Sequence, residues 1–213
     1  MSAPARPRPT AEPVLRLEAM RPSWGGRCAE GWSADIELAA GQMRFLDVPS
    51  AGLEEPLVET LDGLRPPQSG RVRFLGYDWQ ALKREFADAL RGRIGYPLGP
   101  EEWLPGITVA DNVILAERFH TGRPVDAIRR EAVMLARSLG MPGLPASRPA
   151  DTDADDLRRA GFVSCFLGAP ALVLLRGLPA GLRPAVFDLA FRARAAGAAV
   201  LVLNPRGSCP AFP

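Results

Sequence analysis

The chain has 213 residues, 47% of them hydrophobic and 23% charged, with a net charge of +2. This is the balance of a globular domain, or of a domain with an added lobe, and it gives no push toward nucleic acid or an anionic membrane. Three cysteines, Cys28, Cys165 and Cys209, are too scattered for a metal or redox motif and suit a reducing compartment, while no apolar run is long enough for a signal peptide or a membrane span.

Residues 1–13 are rich in Pro, Ala and Arg and read as a disordered leader. Leu15, Leu17 and Ala19 alternate with polar residues as a strand does, and Asp35–Leu38 and Met43–Val48 are two further strand candidates. Leu57–Leu64 reads as a helix closing at Gly63, and Arg65–Gly70 as a turn by composition. A strand is expected over Arg71–Leu75, a turn at Gly76–Asp78, a helix over Asp78–Leu90 and a short strand at Ile94–Tyr96. Thr108 is placed to cap a helix that runs through Leu115, with Asp111 three residues on. Asp126–Leu139 has helical apolar spacing and ends at Gly140. Residues 141–156 read as a surface loop and Leu157–Leu167 as a helix. The last part alternates: strand Ala171–Leu175, helix Pro184–Ala196, strand Ala198–Leu203. Such alternation implies a parallel sheet covered on both faces.

Five phrases, in order, carry a resemblance: IELAAGQMRFLDVPSAG, LDGLRPPQSGRVRFLGYD, RIGYPLGPEEWLPGITVADNVIL, LGAPALVLLRGLPAGLRPAVF and GAAVLVLNPRG. Together they resemble the ATP-binding subunit of an ABC transporter from about Leu15 to Asn204. The resemblance implies an α/β fold of the P-loop NTPase kind. Its core would be a mainly parallel sheet within 14–213, with a helical lobe at about 95–165. It also implies a cytoplasmic subunit, peripheral at the inner face of the cell membrane. The partners implied are a membrane-spanning permease and a second ATP-binding subunit, in a homodimer or a heterodimer; nucleic acid is not among them.

The residues that carry the family's chemistry are replaced. The phosphate loop falls on Val48, Pro49, Ser50, Ala51, Gly52, Leu53, Glu54 and Glu55. Glycine is wanted at Val48, Ala51 and Leu53, because it lets backbone N–H groups approach phosphate. Lysine and the magnesium-binding hydroxyl are replaced by Glu54 and Glu55. Lys83, the only lysine in the chain, follows no glycine loop. The glutamine position is Gly99, and the signature falls on Thr152–Asp156. Arg176 and Gly177 stand where the Walker B aspartate and the following glutamate would, Arg183 at the D-loop aspartate, and Asn204 at the switch histidine.

Two readings stand for most of these positions. Glu54 and Glu55 are either solvated helix-start residues or partners of Arg176 in an ion pair that plugs the vacant site. Trp24 is either the adenine-stacking aromatic that the resemblance implies or an ordinary tryptophan. Gly99, Trp103 and Leu104 mark a candidate docking surface for the permease, unless Trp103 packs under its own lobe. The acidic run Asp151, Asp153, Asp155 and Asp156 lacks the glycine and the terminal glutamate of a calcium loop and reads as solvated. His120 has no metal partners, Cys165 reads as a small core residue, and Ser164 and Ser208 have no neighbouring base. The expectation is a degenerate ABC ATP-binding subunit without catalytic or metal-binding residues, needing neither ATP nor Mg²⁺. The alternatives are an active ATP-binding subunit that energises transport and a freestanding interaction protein derived from one.

Overall fold

A computed structural model describes residues 12–23 and 31–205. The Trp24 position and Cys28, Ser208, Cys209 and most of the leader lie outside the described residues.

Two four-stranded sheets organise the described chain. The antiparallel one joins β1 (Leu15–Pro22), β2 (Ala34–Leu38), β4 (Pro67–Phe74) and β5 (Tyr77–Asp78) in the order β2-β1-β4-β5. The parallel one joins β3 (Met43–Val48), β6 (Ile94–Gly95), β7 (Leu172–Leu175) and β8 (Ala199–Pro205) in the order β3-β8-β7-β6. Its central strands are continuous apolar runs because both faces are buried. Val173, Leu175, Val200 and Val202 face a core shared with the helical lobe and the last helix. Leu172, Leu174, Leu201 and Leu203 face a second core, closed by the antiparallel sheet and the first helix. A fully buried Leu or Val contributes about 1.5–3 kcal/mol relative to exposure, so these two strands anchor both layers.

The helices are α1 (Glu54–Leu61), α2 (Arg84–Arg91), α3 (Val109–His120), α4 (Val125–Ser138), α5 (Ala154–Phe166) and α6 (Arg183–Ala195). Helices α3, α4 and α5 form the lobe. Ile114, Ile128 and Phe162 are buried in its core. Thr108 caps α3 as expected, its Oγ1 accepting from the Asp111 N–H at 3.0 Å. Gly140 closes α4 with a positive φ of 81°.

Three sequence expectations are corrected. Arg65–Gly70 is not simply a turn: β4 begins at Pro67, and Pro67 and Ser69 pair with Pro22 and Arg21 across a bulged stretch of β1. Long-range pairing outweighs Pro and Gly composition there. The helix expected over Asp78–Leu90 is broken. Asp78 caps a short 3-10 turn over Trp79–Ala81, and Leu82 and Lys83 are extended before α2 starts. Trp79 fixes the break: it is buried, stacks on Phe74 at 5.8 Å and donates its Nε1–H to the Leu61 carbonyl at 3.0 Å. Helices α1 and α5 each begin three residues before the expected start, at Glu54 and Ala154. Acidic first turns favour both extensions through the helix dipole.

Candidate functional site

The carboxyl ends of the parallel strands are where open α/β sheets hold ligands, and the residues singled out from the sequence converge there. β3 ends at buried Val48. Pro49 and Ser50 follow, and a 3-10 turn over Ala51–Leu53 leads straight into α1. The Leu53 N–H is taken by the Ser50 carbonyl at 3.2 Å. That donor is spent inside the loop. Beside it, Asn204 at the end of β8 donates from Nδ2 to Asp47 Oδ1 at 2.8 Å.

Glu54 and Glu55 occupy the first turn of α1 and separate in role. Glu54 is buried and accepts the Gly177 N–H at 3.2 Å. Burial pushes its pKa up, opposed by that hydrogen bond and by the Arg176 charge. Glu55 is half exposed, and its Oε2 lies 3.9 Å from Arg176 Nη1, within ion-pair range but beyond a hydrogen bond.

The ion pair expected of Arg176 is met by Glu55 at 3.9 Å and not by Glu54, while its hydrogen bond goes to a third carboxylate. Arg176 Nη2 donates to Glu102 Oε2 at 2.7 Å, and the same oxygen accepts the Gly99 N–H. Glu54 has no hydrogen bond to the guanidinium and is bound to the backbone one residue further on. Arg176 is 13% exposed, and its Nε is buried without a partner. Gly99 is small for a local reason. A Cβ there would stand 3.1 Å from Glu102 Oε2 and 3.2 Å from Arg176 Nη2. In the sequence Glu102 is half of a Glu101-Glu102 pair with no local signal of its role, 74 residues from its partner.

Two further groups belong to the same neighbourhood and were missed. Asp62, at the end of α1, is buried; loss of hydration lifts its pKa to about 7, against the pull of the Leu64 N–H and Arg91. The Tyr96 hydroxyl is pushed up to about 12 by burial and by the charges of Asp62 and Glu102. Nothing in the local pattern announces either, because burial is set by residues distant in sequence.

The other candidates resolve into structural roles. Asp153 caps α5, accepting the Asp155 N–H at 2.8 Å, and Asp155 pairs with Arg158 at 2.6 Å. Arg183 opens α6. Lys83 precedes α2 and is exposed. His120 is exposed at the end of α3, edge-on to Phe119 at 5.0 Å. Cys165 is buried and its thiol pKa is raised by desolvation. Ser164 donates to the Gly161 carbonyl at 2.8 Å. Among the described residues, no group of three or more His, Cys, Asp or Glu is arranged to hold a metal ion.

Gly99, Trp103 and Leu104 lie on the 96–104 loop. Trp103 is half-buried against the lobe core, whereas Leu104 is 49% exposed, its backbone N–H and carbonyl both held by the Asn112 side chain. A cleft of about 290 Å³ runs beside this loop, with Pro97, Trp103, Leu157, Phe162 and Arg176 among its walls. A larger one, about 580 Å³, opens at the amino ends of the parallel strands, away from these groups.

No protein-family model matches the chain. Among curated proteins it is similar to the methionine import ATP-binding protein MetN of Rhizobium etli, 28% identical over 170 residues. That match covers 79% of this chain but only 46% of the relative, so the chain spans about half of that protein. It is also similar to the lipoprotein-releasing system ATP-binding protein LolD of a Ruegeria species, 26% identical over 186 residues, covering 85% of this chain and 82% of the relative. Among solved structures, an ATP-binding subunit of an ABC transporter superposes with a TM-score of 0.70 at 18% identity, covering 91% of this chain and 80% of that one. A bacterial ABC transporter cassette solved as a dimer gives 0.75 at 15% identity, covering 89% and 87%. Sequence and fold agree: the chain is similar to ABC ATP-binding subunits and has the fold of an ABC nucleotide-binding domain.

Proposed function

We propose that this chain is a non-hydrolysing subunit of an ABC transporter, acting structurally or as a regulator on the cytoplasmic face beside a membrane-spanning permease. One observation carries this reading: the buried Glu54 carboxylate, at the position of the phosphate-binding lysine, is bound to the Gly177 N–H. Magnesium triphosphate does not fit these residues. Glu55 and Glu102 flank a single guanidinium, Glu54 lies beside them on the Gly177 N–H, and the loop N–H of Leu53 is already used. Two like unit charges 4 Å apart repel by about 4 kcal/mol near a protein surface, and each carboxylate would face a polyanion without a lysine to offset it. The same loss on both the phosphate loop and the signature stretch leaves neither half of a shared ATP site, even in a heterodimer.

The test is calorimetry of the full chain with ATP and Mg²⁺. No binding heat is expected up to about 1 mM nucleotide, which corresponds to less than about 4 kcal/mol of affinity. Micromolar binding would overturn the reading. A second reading, an active ATP-binding subunit, is favoured by the relatives, both of them ATP-binding proteins. It requires ATP turnover that a change within 48–56 abolishes.

A further inference from the structure

We infer that Arg176 and Glu102 form an internal latch that fixes the helical lobe to the sheet and stands in for a ligand between them. The stand-in role rests on the functional reading above, whereas the latch itself rests on geometry.

The 96–104 loop is fastened on both sides. Toward the lobe, the Leu98 N–H donates to the Gly161 carbonyl of α5 at 3.3 Å. Gly161 permits that approach, since a Cβ there would come within 2.6 Å of the Leu98 carbonyl oxygen. At the other end of the loop, Asn112 of α3 is buried and spans Leu104, accepting its N–H at 2.8 Å and donating to its carbonyl at 3.1 Å. The loop therefore moves with α3 and α5. Toward the sheet, the loop continues from β6, and Glu102 adds a tie to β7: its Oε2 takes the Arg176 guanidinium at 2.7 Å, just past the end of that strand. The same oxygen accepts the Gly99 N–H, so the carboxylate is held from its own loop before it reaches across.

The pair is sheltered and directional. A charge-assisted hydrogen bond from a largely buried guanidinium is stronger than an exposed ion pair, and removing one partner strands the other charge. Glu55 lies 3.9 Å from the second guanidinium nitrogen and keeps Arg176 attracted toward α1. Glu54 holds the next residue, Gly177, by its backbone. Helix α1, the end of β7 and the 96–104 loop are thereby joined by side chains of this chain alone. The lobe orientation becomes a property of the fold instead of a response to a bound molecule.

The experiment is hydrogen exchange, read by mass spectrometry, on the full chain and on E102Q, R176A, the double variant and the exchanged pair E102R/R176E. In either single variant, amides of 96–104 and of the first turn of α5 are expected to exchange at least about tenfold faster, while those of β8 stay protected. The double variant should go no further than the faster single one, because both remove the same bond. The exchanged pair sets a carboxylate beside Glu55 and leaves the Gly99 N–H without its acceptor, so it should stay as loose as the single variants. Single variants within about twofold of the parent, or effects that multiply in the double variant, would overturn the latch. Acceleration in β8 as large as in the loop would also overturn it, since it reports general destabilisation; E102Q, which keeps size and one acceptor, guards against that result arising from R176A alone. Calorimetry of the parent separates the two ideas. ATP heat with loosened variants removes the functional reading and leaves the latch. No heat with unmoved variants removes the latch alone.

Discussion

At the scale of single residues, buried carboxylates make the fold sensitive to pH in an unusual direction. Asp62 and Glu54 both have pKa values raised by loss of hydration, Asp62 to about 7 from an ordinary 3.8. The folded chain thus keeps a proton on Asp62 that the unfolded chain has already lost. The stability this supplies is complete below the ordinary value and disappears as pH rises through about 7. Urea unfolding of the parent should therefore weaken between about pH 5 and 7.5, with Asp62 contributing on the order of 4 kcal/mol across its whole window. Asp62→Asn retains an acceptor for the Leu64 N–H and carries no titratable proton. Its stability curve should be visibly flatter over the same range. Parallel curves for the two proteins would show that Asp62 titrates as an ordinary carboxylate. Neither the burial nor the neighbours, Arg91, Glu59 and Glu102, could be read from the residues beside it.

Between elements, the lobe is tied to the sheet at a second place, where α5 gives way to β7. Gly168 lies at a φ of +77°, and a Cβ there would run into the Glu117 carboxylate. Glu117 is buried and receives Arg123 at 2.7 Å; Arg123 also reaches Glu131 at 2.5 Å, and Glu131 accepts the Gly168 N–H at 3.0 Å. Gly168→Ala combines a disfavoured φ with displacement of a buried charge, so a loss of at least about 2 kcal/mol is expected in denaturant unfolding. Gly181→Ala, with open space around it and no positive φ, should stay within about 0.5 kcal/mol of the parent. Equal effects at the two sites would mean that crowding at Gly168 relaxes freely. The same contrast explains what was legible. The central strands and the capped α3 announced themselves, because alternation, apolar runs and a Thr108–Asp111 box are local signals. The start of β4 and the break before α2 did not, because they answer to β1 and to the Trp79 contact with Leu61. The starts of α1 and α5 lie three residues before the first large apolar position of each helix, because acidic first turns are favoured by the helix dipole and leave no mark in apolar spacing.

For the whole molecule, the candidate site was half legible. The exchange of sign between loop and strand could be read from Glu54, Glu55 and Arg176. The residue that completes it, Glu102, could not, because only the fold brings the 96–104 loop against the end of β7. That loop also separates two tasks that the sequence left joined. Trp103 packs on the lobe core, whereas Leu104 presents its side chain to solvent while Asn112 fixes its backbone. A subunit that docks a permease through this loop should therefore respond differently to the two changes. Trp103→Ala removes buried aromatic contact and should lower stability by about 2–4 kcal/mol, with membrane association reduced only as far as folding is. Leu104→Asp leaves the Asn112 hydrogen bonds and the lobe core in place, so unfolding should shift by less than about 0.5 kcal/mol. Loss of an apolar anchor at the centre of an interface typically costs 2 kcal/mol or more, about thirtyfold in affinity. Fractionating cells that make the full chain, followed by detergent co-purification with its membrane partner, separates the cases. Leu104→Asp should release the chain from membranes while folding as the parent does. Retention of that variant at parental levels would exclude the loop as the docking surface and favour a protein that works apart from any permease.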